Sequence, residues 1–148
     1  MKKASFFILV LTVLASACAR PRAFDAGSFR ANYEAAFHNK DIAYFESLFS
    51  KDFWMGNQYQ NREQALQAMR KVFEDYDDIH ATFEILSAKT MPGRKSLLMN
   101  ARLLLQGRRV ADGQVITINN VTGGAVYVYE NGAWRLYKTV EKSLSAPI

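Results

Sequence analysis

The apolar residues of this chain change period once, near Ile79, and that change limits what it can fold into. Before it, apolar positions recur at helical spacing: Phe29, Tyr33, Ala36 and Phe37, then Ile42, Phe45 and Leu48 or Phe49, then Ala65, Leu66, Met69, Val72, Phe73 and Tyr76. Each series follows a residue suited to capping, Asp25, Asp41 and Asn61 in turn, and Gln64 stands where a capping box needs it. From Ile79 onward, Ile79, Ala81, Phe83 and Ile85 alternate with His80, Thr82 and Glu84, which is the period of a half-buried strand. The spacing predicts a helix ending at about Asn39, a second short helix, a short strand in SKDFWMGNQY turning at Gly56-Asn57, and a third helix.

Later turns punctuate the strand half at Pro92-Gly93, near Ala111-Asp112-Gly113 and at Asn131-Gly132, the last a type I′ hairpin signal. The run QVITINNVTGGAVYVYE is too long for a flat strand, so Gly123-Gly124 predicts a bulge or strong bend inside it. AWRLYKTVEK reads as the last strand, and residues 143–148 as a frayed tail. The fold class that follows is α+β, with three N-terminal helices packed on one face of a strongly bent antiparallel sheet.

Ahead of the first helix, MKK and the apolar run SFFILVLTVLA form the layout of a signal peptide over residues 1–17. The run is far shorter than the roughly 20 apolar residues a membrane span requires. Ala15-Ser16-Ala17 suits ordinary signal peptidase, whereas the same residues before Cys18 resemble a bacterial lipobox, with Leu14 one place earlier than the commonest pattern. Cys18 is the only cysteine, so no internal disulfide is available in an exported chain, and acylation explains its position better than chance. Acyl chains contribute about 0.8 kcal/mol per buried methylene, so two or more anchor stably. The lipobox resemblance implies attachment to the periplasmic side of a Gram-negative envelope, and Ala19 favours the outer membrane. Residues 18–25 then read as the lipidated cysteine and a short tether, in which Arg20 and Arg22 flank Pro21.

The formal charge of +5 falls to about +3 once Lys2 and Lys3 leave with the signal. No basic run interleaved with aromatics remains, which argues against nucleic acid as a partner.

Residues 26–142 resemble the nuclear transport factor 2-like superfamily, including its SnoaL-like and ketosteroid-isomerase-like members. The resemblance rests on the helix to Phe37, the segment NKDIAYFESLFSKDFWMGNQ, the helix REQALQAMRKVF and the closing NGAWRLYKTVEK. It implies a cone whose bent sheet and helices enclose an apolar pocket. Tyr33, Phe37, Trp54, Tyr59, Met99 and Tyr127 are the candidate lining residues, and the competing reading is that they only fill the core.

Isomerases of this superfamily carry a carboxylate base shortly after the first strand, where this chain has Met55, Gly56 and Asn57. Asp52 and His80 are the weak catalytic candidates, the latter if Asp77 or Asp78 orients it. Asn100, Arg102, Asn120 and Thr122 are either polar determinants of a ligand site or the wet face of strands. No metal-binding, phosphate-loop or nucleophile motif is present, so neither a metal nor another cofactor is called for. The expected function is therefore an envelope-anchored, non-catalytic pocket domain binding a small apolar ligand or a protein partner. Two competitors stay open. One is a small isomerase, lyase or hydrolase with an atypical acid/base pair; the other is a homodimeric assembly module using Leu98 and Leu104 on the outer sheet face.

Overall fold

A computed structural model describes residues 21–56, 60–91 and 95–140. The expected signal peptide over residues 1–17, Cys18, Asn57, Tyr59, the expected Pro92-Gly93 turn and the expected tail 143–148 lie outside the described residues.

Three helices precede most of the sheet: α1 Ala26–His38, α2 Ile42–Leu48 and α3 Arg62–Asp75. Their caps are the ones their sequences announce. Asp25 accepts from Ser28 N–H at 3.0 Å, and that bond holds the Asp25 carboxyl below the usual carboxylate range. Asp41 accepts from Tyr44 N–H. Asn61 and Gln64 satisfy each other's backbone N–H groups in a complete capping box.

The strands are β1 Phe49–Met55, β2 Gln60–Asn61, β3 Tyr76–Thr90, β4 Ser96–Arg109, β5 Val115–Glu130 and β6 Ala133–Val140. They form one six-stranded sheet in the order β2-β1-β6-β5-β4-β3. The sheet is antiparallel except where β1 runs parallel to β6, a pairing no local sequence signal specifies. Asn131 and Gly132 both take positive φ, 49° and 79°, as the tight β5–β6 hairpin demands.

Two sequence expectations need correction. Gly123 and Gly124 pair in unbroken register with Ala101 and Asn100; neither is bulged. The irregularities lie elsewhere: Leu86 in β3, Ile118 in β5 and Tyr137 in β6 have no cross-strand partner, and the register also shifts between Asp77 and His80 in β3 and between Phe49 and Trp54 in β1. Extra residues of this kind raise the local twist and so help the long strands curl. The run Asp75-Tyr76-Asp77-Asp78, which reads in the sequence as a solvated turn, is likewise not one. Helix α3 passes directly into β3 there, and the carboxylates are spent on Lys40–Asp77 and Arg108–Asp78 ion pairs.

The core gathers between the helices and the inner sheet face. Phe45, Leu66, Ile79, Leu97 and Met99 are almost wholly buried. Rings join the layers: Tyr33 lies 4.6 Å from Phe83 and Phe37 lies 4.8 Å from Phe45, centroid to centroid. The residues just ahead of α1 also belong to this fabric. Phe24 packs on Phe29, and Trp134 Nε1–H donates to the Arg22 carbonyl at 3.0 Å.

Strand β3 is a sheet edge, and α1 covers it. Glu34 Oε1 accepts the outward-facing Phe83 N–H at 2.8 Å, which occupies a donor that would otherwise template another strand. Removing that carboxylate leaves a half-buried N–H without its partner. Glu34→Ala is therefore expected to cost about 1–3 kcal/mol and Glu34→Gln distinctly less, read from urea midpoints. Equal losses for the two variants would show that the hydrogen bond is not what matters.

Candidate functional site

A cavity of about 400 Å³ opens between α1 and the inner face of β4, β5 and β6. That volume lies in the range of small-molecule sites. Its existence follows from side-chain size along two neighbouring strands. On β4 and β5, Ala101 faces Gly123 and Met99 faces Ala125, so short side chains sit where the core would otherwise be filled. Phe83, Leu103, Val121 and Leu136 complete the apolar wall.

Polar groups enter from two sides. Tyr33 from α1 and Tyr127 from β5 are both in the lining. Neither hydroxyl has a hydrogen-bond partner among the described residues, and no deeply buried side-chain oxygen or nitrogen there is left unsatisfied. Both hydroxyls therefore keep some accessible surface, and the residues that carry them line the cavity. At its mouth stand Asn119, Asn120 and Thr139. Strict alternation would send Asn119 and Asn120 to opposite faces, but the bulge at Ile118 re-aims the strand and both border the opening.

Burial sets the protonation of these phenols. It pushes Tyr33 and Tyr127 far above the ordinary tyrosine range, reinforced for Tyr33 by Tyr44 and for Tyr127 by Tyr33 and Tyr44. Burial likewise raises Tyr44 to about 12. Both cavity phenols are consequently neutral hydrogen-bond donors at physiological pH. No Asp, Glu, His, Lys or Arg lines the cavity among the described residues.

The sequence candidates divide cleanly. Tyr33, Met99 and Tyr127 line the cavity, and so does Met55, in the neighbourhood where the resemblance would put an isomerase base. Phe37 does not: it is 4% exposed, wedged among Tyr33, Phe45 and Phe73 as core. Trp54 points outward and is 41% exposed, because the β1 alternation that buries Phe53 turns its neighbour away. Tyr59 lies outside the described residues. Asp52 is on the surface, with only a loose 4.0 Å approach from Lys51. His80 is exposed as well. Its ring stacks on His38 at 5.5 Å, while Asp77 and Asp78 are committed to Lys40 and Arg108 rather than to it.

Of the strand polar residues, Arg102 pairs with Glu84 and Asn100 donates to Ser87 on the outer face; Asn120 alone reaches the cavity. Leu98 and Leu104 are half-buried on that outer face, interrupted by these polar pairs. Among the described residues no three His, Cys, Asp or Glu side chains gather in a metal-binding group.

No family model and no curated protein matches the chain. Solved structures do. A conserved protein from Planctomyces limnophilus DSM 3776 superposes with a TM-score of 0.63 at 16% identity, covering 76% of this chain and 86% of that one. A putative scytalone dehydratase from Novosphingobium aromaticivorans DSM 12444 gives 0.61 at 11% identity, over 81% and 87%. The hexachlorocyclohexane dehydrochlorinase LinA-type3 from Novosphingobium barchaimii LL02 gives 0.58 at 17% identity, over 74% and 77%.

The raised phenols carry a stability signature. Above about pH 10 the unfolded chain loses tyrosine protons that the folded chain retains, so the unfolded state binds fewer protons and stability falls as pH rises. Below that pH these groups make no pH-dependent contribution. The slope reaches about 1.4 kcal/mol per pH unit for each such tyrosine. Urea midpoints between pH 8 and pH 11 are expected to drop less steeply in Tyr127→Phe than in the wild type; parallel profiles would mean the ring is not held in a desolvated site. With a curled sheet, three covering helices and an apolar cavity between them, the chain has the nuclear transport factor 2-like fold.

Proposed function

We propose that the protein is an envelope-tethered binding protein, lipidated at Cys18, whose cavity holds a small and mainly apolar molecule bearing a hydrogen-bond acceptor. The observation that carries this reading is the pairing of apolar walls with two neutral phenol donors, Tyr33 and Tyr127, and no ionisable acid or base beside them among the described residues. A ligand with a carbonyl, ether or hydroxyl oxygen satisfies those donors while its carbon skeleton covers Ala101, Leu103 and Leu136. Proton abstraction or transfer, the chemistry of an isomerase or lyase, needs a base within hydrogen-bond reach of the substrate. The exposed Asp52 and His80 do not supply one. The polar interruptions at Asn100 and Arg102 make the outer sheet face a poor self-packing surface, which places a homodimer behind ligand binding.

Native mass spectrometry of protein taken from its own membranes tests the pocket. The wild type is expected to carry a bound small molecule and Gly123→Val to lose it, because the new side chain projects beside Ala101 into the cavity. Tyr127→Phe removes one donor and is expected to weaken the same ligand roughly 2- to 10-fold. An unchanged bound mass in Gly123→Val would place the ligand elsewhere. For the anchor, Cys18→Ser is expected to shift the protein from the membrane to the soluble periplasmic fraction; a wild type already soluble there would point to ordinary signal cleavage.

A further inference from the structure

A larger concavity of about 610 Å³ lies away from the cone, where the β5–β6 turn meets the start of β1 and the first residue of α3. Its chemistry is opposite to that of the cavity. Lys51, Arg62 and Arg135 line it together with one carboxylate, Glu130. We propose that this cleft is a second binding site, for a phosphate ester that carries an adjacent hydrogen-bond donor such as an ammonium or hydroxyl group.

The cations are not consumed by the acid in their midst. Both Glu130 oxygens are approached by the Ser50 hydroxyl, at 3.0 and 3.3 Å, and Glu130 makes no ion pair among the described residues. Ser50 is itself 1% exposed, so the carboxylate is held from below by a buried donor. Arg135 has no acidic partner among the described residues either. Lys51 has only the loose approach to exposed Asp52. Arg62 is different because it is fixed in place. Its guanidinium donates to the Glu46 carbonyl at 2.7 Å and to Glu63 at 3.1 Å, which orients it before any ligand arrives.

Against Glu130 and the Glu63 carboxylate that pairs with Arg62, the three cations leave an excess of one positive charge. A phosphate group balances that excess, and charge-assisted bonds to guanidinium groups suit its geometry. Glu130 would repel a bare anion, so the ligand that fits puts a donor next to its phosphate. Phosphoethanolamine has this pattern; phosphocholine, which has no N–H, does not.

Position supplies the source. Trp134, the neighbour of Arg135, holds the Arg22 carbonyl, and Cys18 precedes Arg22 by four residues. An extended chain of that length reaches at most about 14 Å. If Cys18 is acylated, the cleft stands within a short reach of the lipid headgroups; a soluble phosphate ester remains the other source of the same chemistry. The cleft is independent of the cone's ligand and uses the anchor only to choose between these sources.

Calorimetric titration of the purified protein with O-phosphoethanolamine, with sodium chloride as the ionic-strength control, tests the site. Saturable binding is expected, weakened at least about fivefold by Arg135→Ala and by Lys51→Ala, less by Arg135→Lys, and weakened by added salt. Glu130→Gln is expected to erase the preference over phosphocholine. Vesicle flotation of exported Cys18→Ser protein then separates the sources. Retention on phosphatidylethanolamine-containing vesicles, lost in Arg135→Ala, identifies a headgroup; saturable binding of the soluble ester without vesicle retention identifies a soluble ligand. Gly123→Val leaves either result unchanged, which keeps this site's outcome separate from that of the cone. No saturable response, together with equal flotation of the Cys18→Ser protein with and without Arg135→Ala, overturns the proposal.

Discussion

Ring contacts between α1 and its neighbours hold one side of the molecule closed and thereby leave the other side open. Tyr33 and Phe37 pack on Phe45, Phe73 and Phe83, and Phe29 meets Tyr127 edge to face at 5.4 Å. Large rings at these positions set the spacing between helix and sheet. Across the same gap the sheet presents Ala101, Gly123 and Ala125, which are too short to fill it. A core normally closes such space, because each lost contact costs dispersion energy and burying a large side chain gains about 1.5–3 kcal/mol. That the chain forgoes this gain along one stretch of β4 and β5 is the strongest physical reason to read the space as a site.

Curvature follows from a second, separate device. Long strands left flat would diverge from the helices, yet β3 carries two register irregularities and β5 and β6 one unpaired residue each, which bend them. The bulge at Ile118 does double duty, since it also turns Asn119 and Asn120 together toward the cavity mouth. Gly107 on the facing strand permits the close approach there: a Cβ would stand 2.9 Å from Ile118 Cδ1. Strand geometry and site polarity are thus set by the same few residues.

What was legible in the sequence was local. Helix caps at Asp25, Asp41 and Asn61, the change to period two at Ile79 and the Asn131-Gly132 hairpin each depend on residues a few positions apart, and each is where the sequence put it. What was illegible depends on neighbours distant in the chain. Gly123 reads as a bend in isolation and as a cavity floor only once Ala101 is beside it. Phe37 and Tyr33 are equivalent by helical spacing, but the first faces Phe73 and the second faces open volume. Asn119 carried no signal at all, because its orientation depends on a bulge with no mark in the sequence. The parallel β1–β6 pairing is of the same kind.

The segment before α1 ties these parts together. Read as a spacer, residues 22–24 would be idle chain; instead the Arg22 carbonyl is fixed to Trp134 and the Phe24 ring lies 6.5 Å from Tyr127. Tyr127 also lines the cavity, so Phe24 supports one wall of the site. Trp134 also packs on Tyr129, which ties the attachment point to the β5–β6 hairpin that supplies Glu130 and Arg135. Residues 22–24 are therefore packed against the fold rather than a loose linker. An apolar pocket with neutral donors and a cationic cleft with one acid have no chemistry in common, and the short stretch from Arg22 to Phe24 touches Tyr127 in the wall of the first and Trp134, the strand neighbour of Arg135, beside the second.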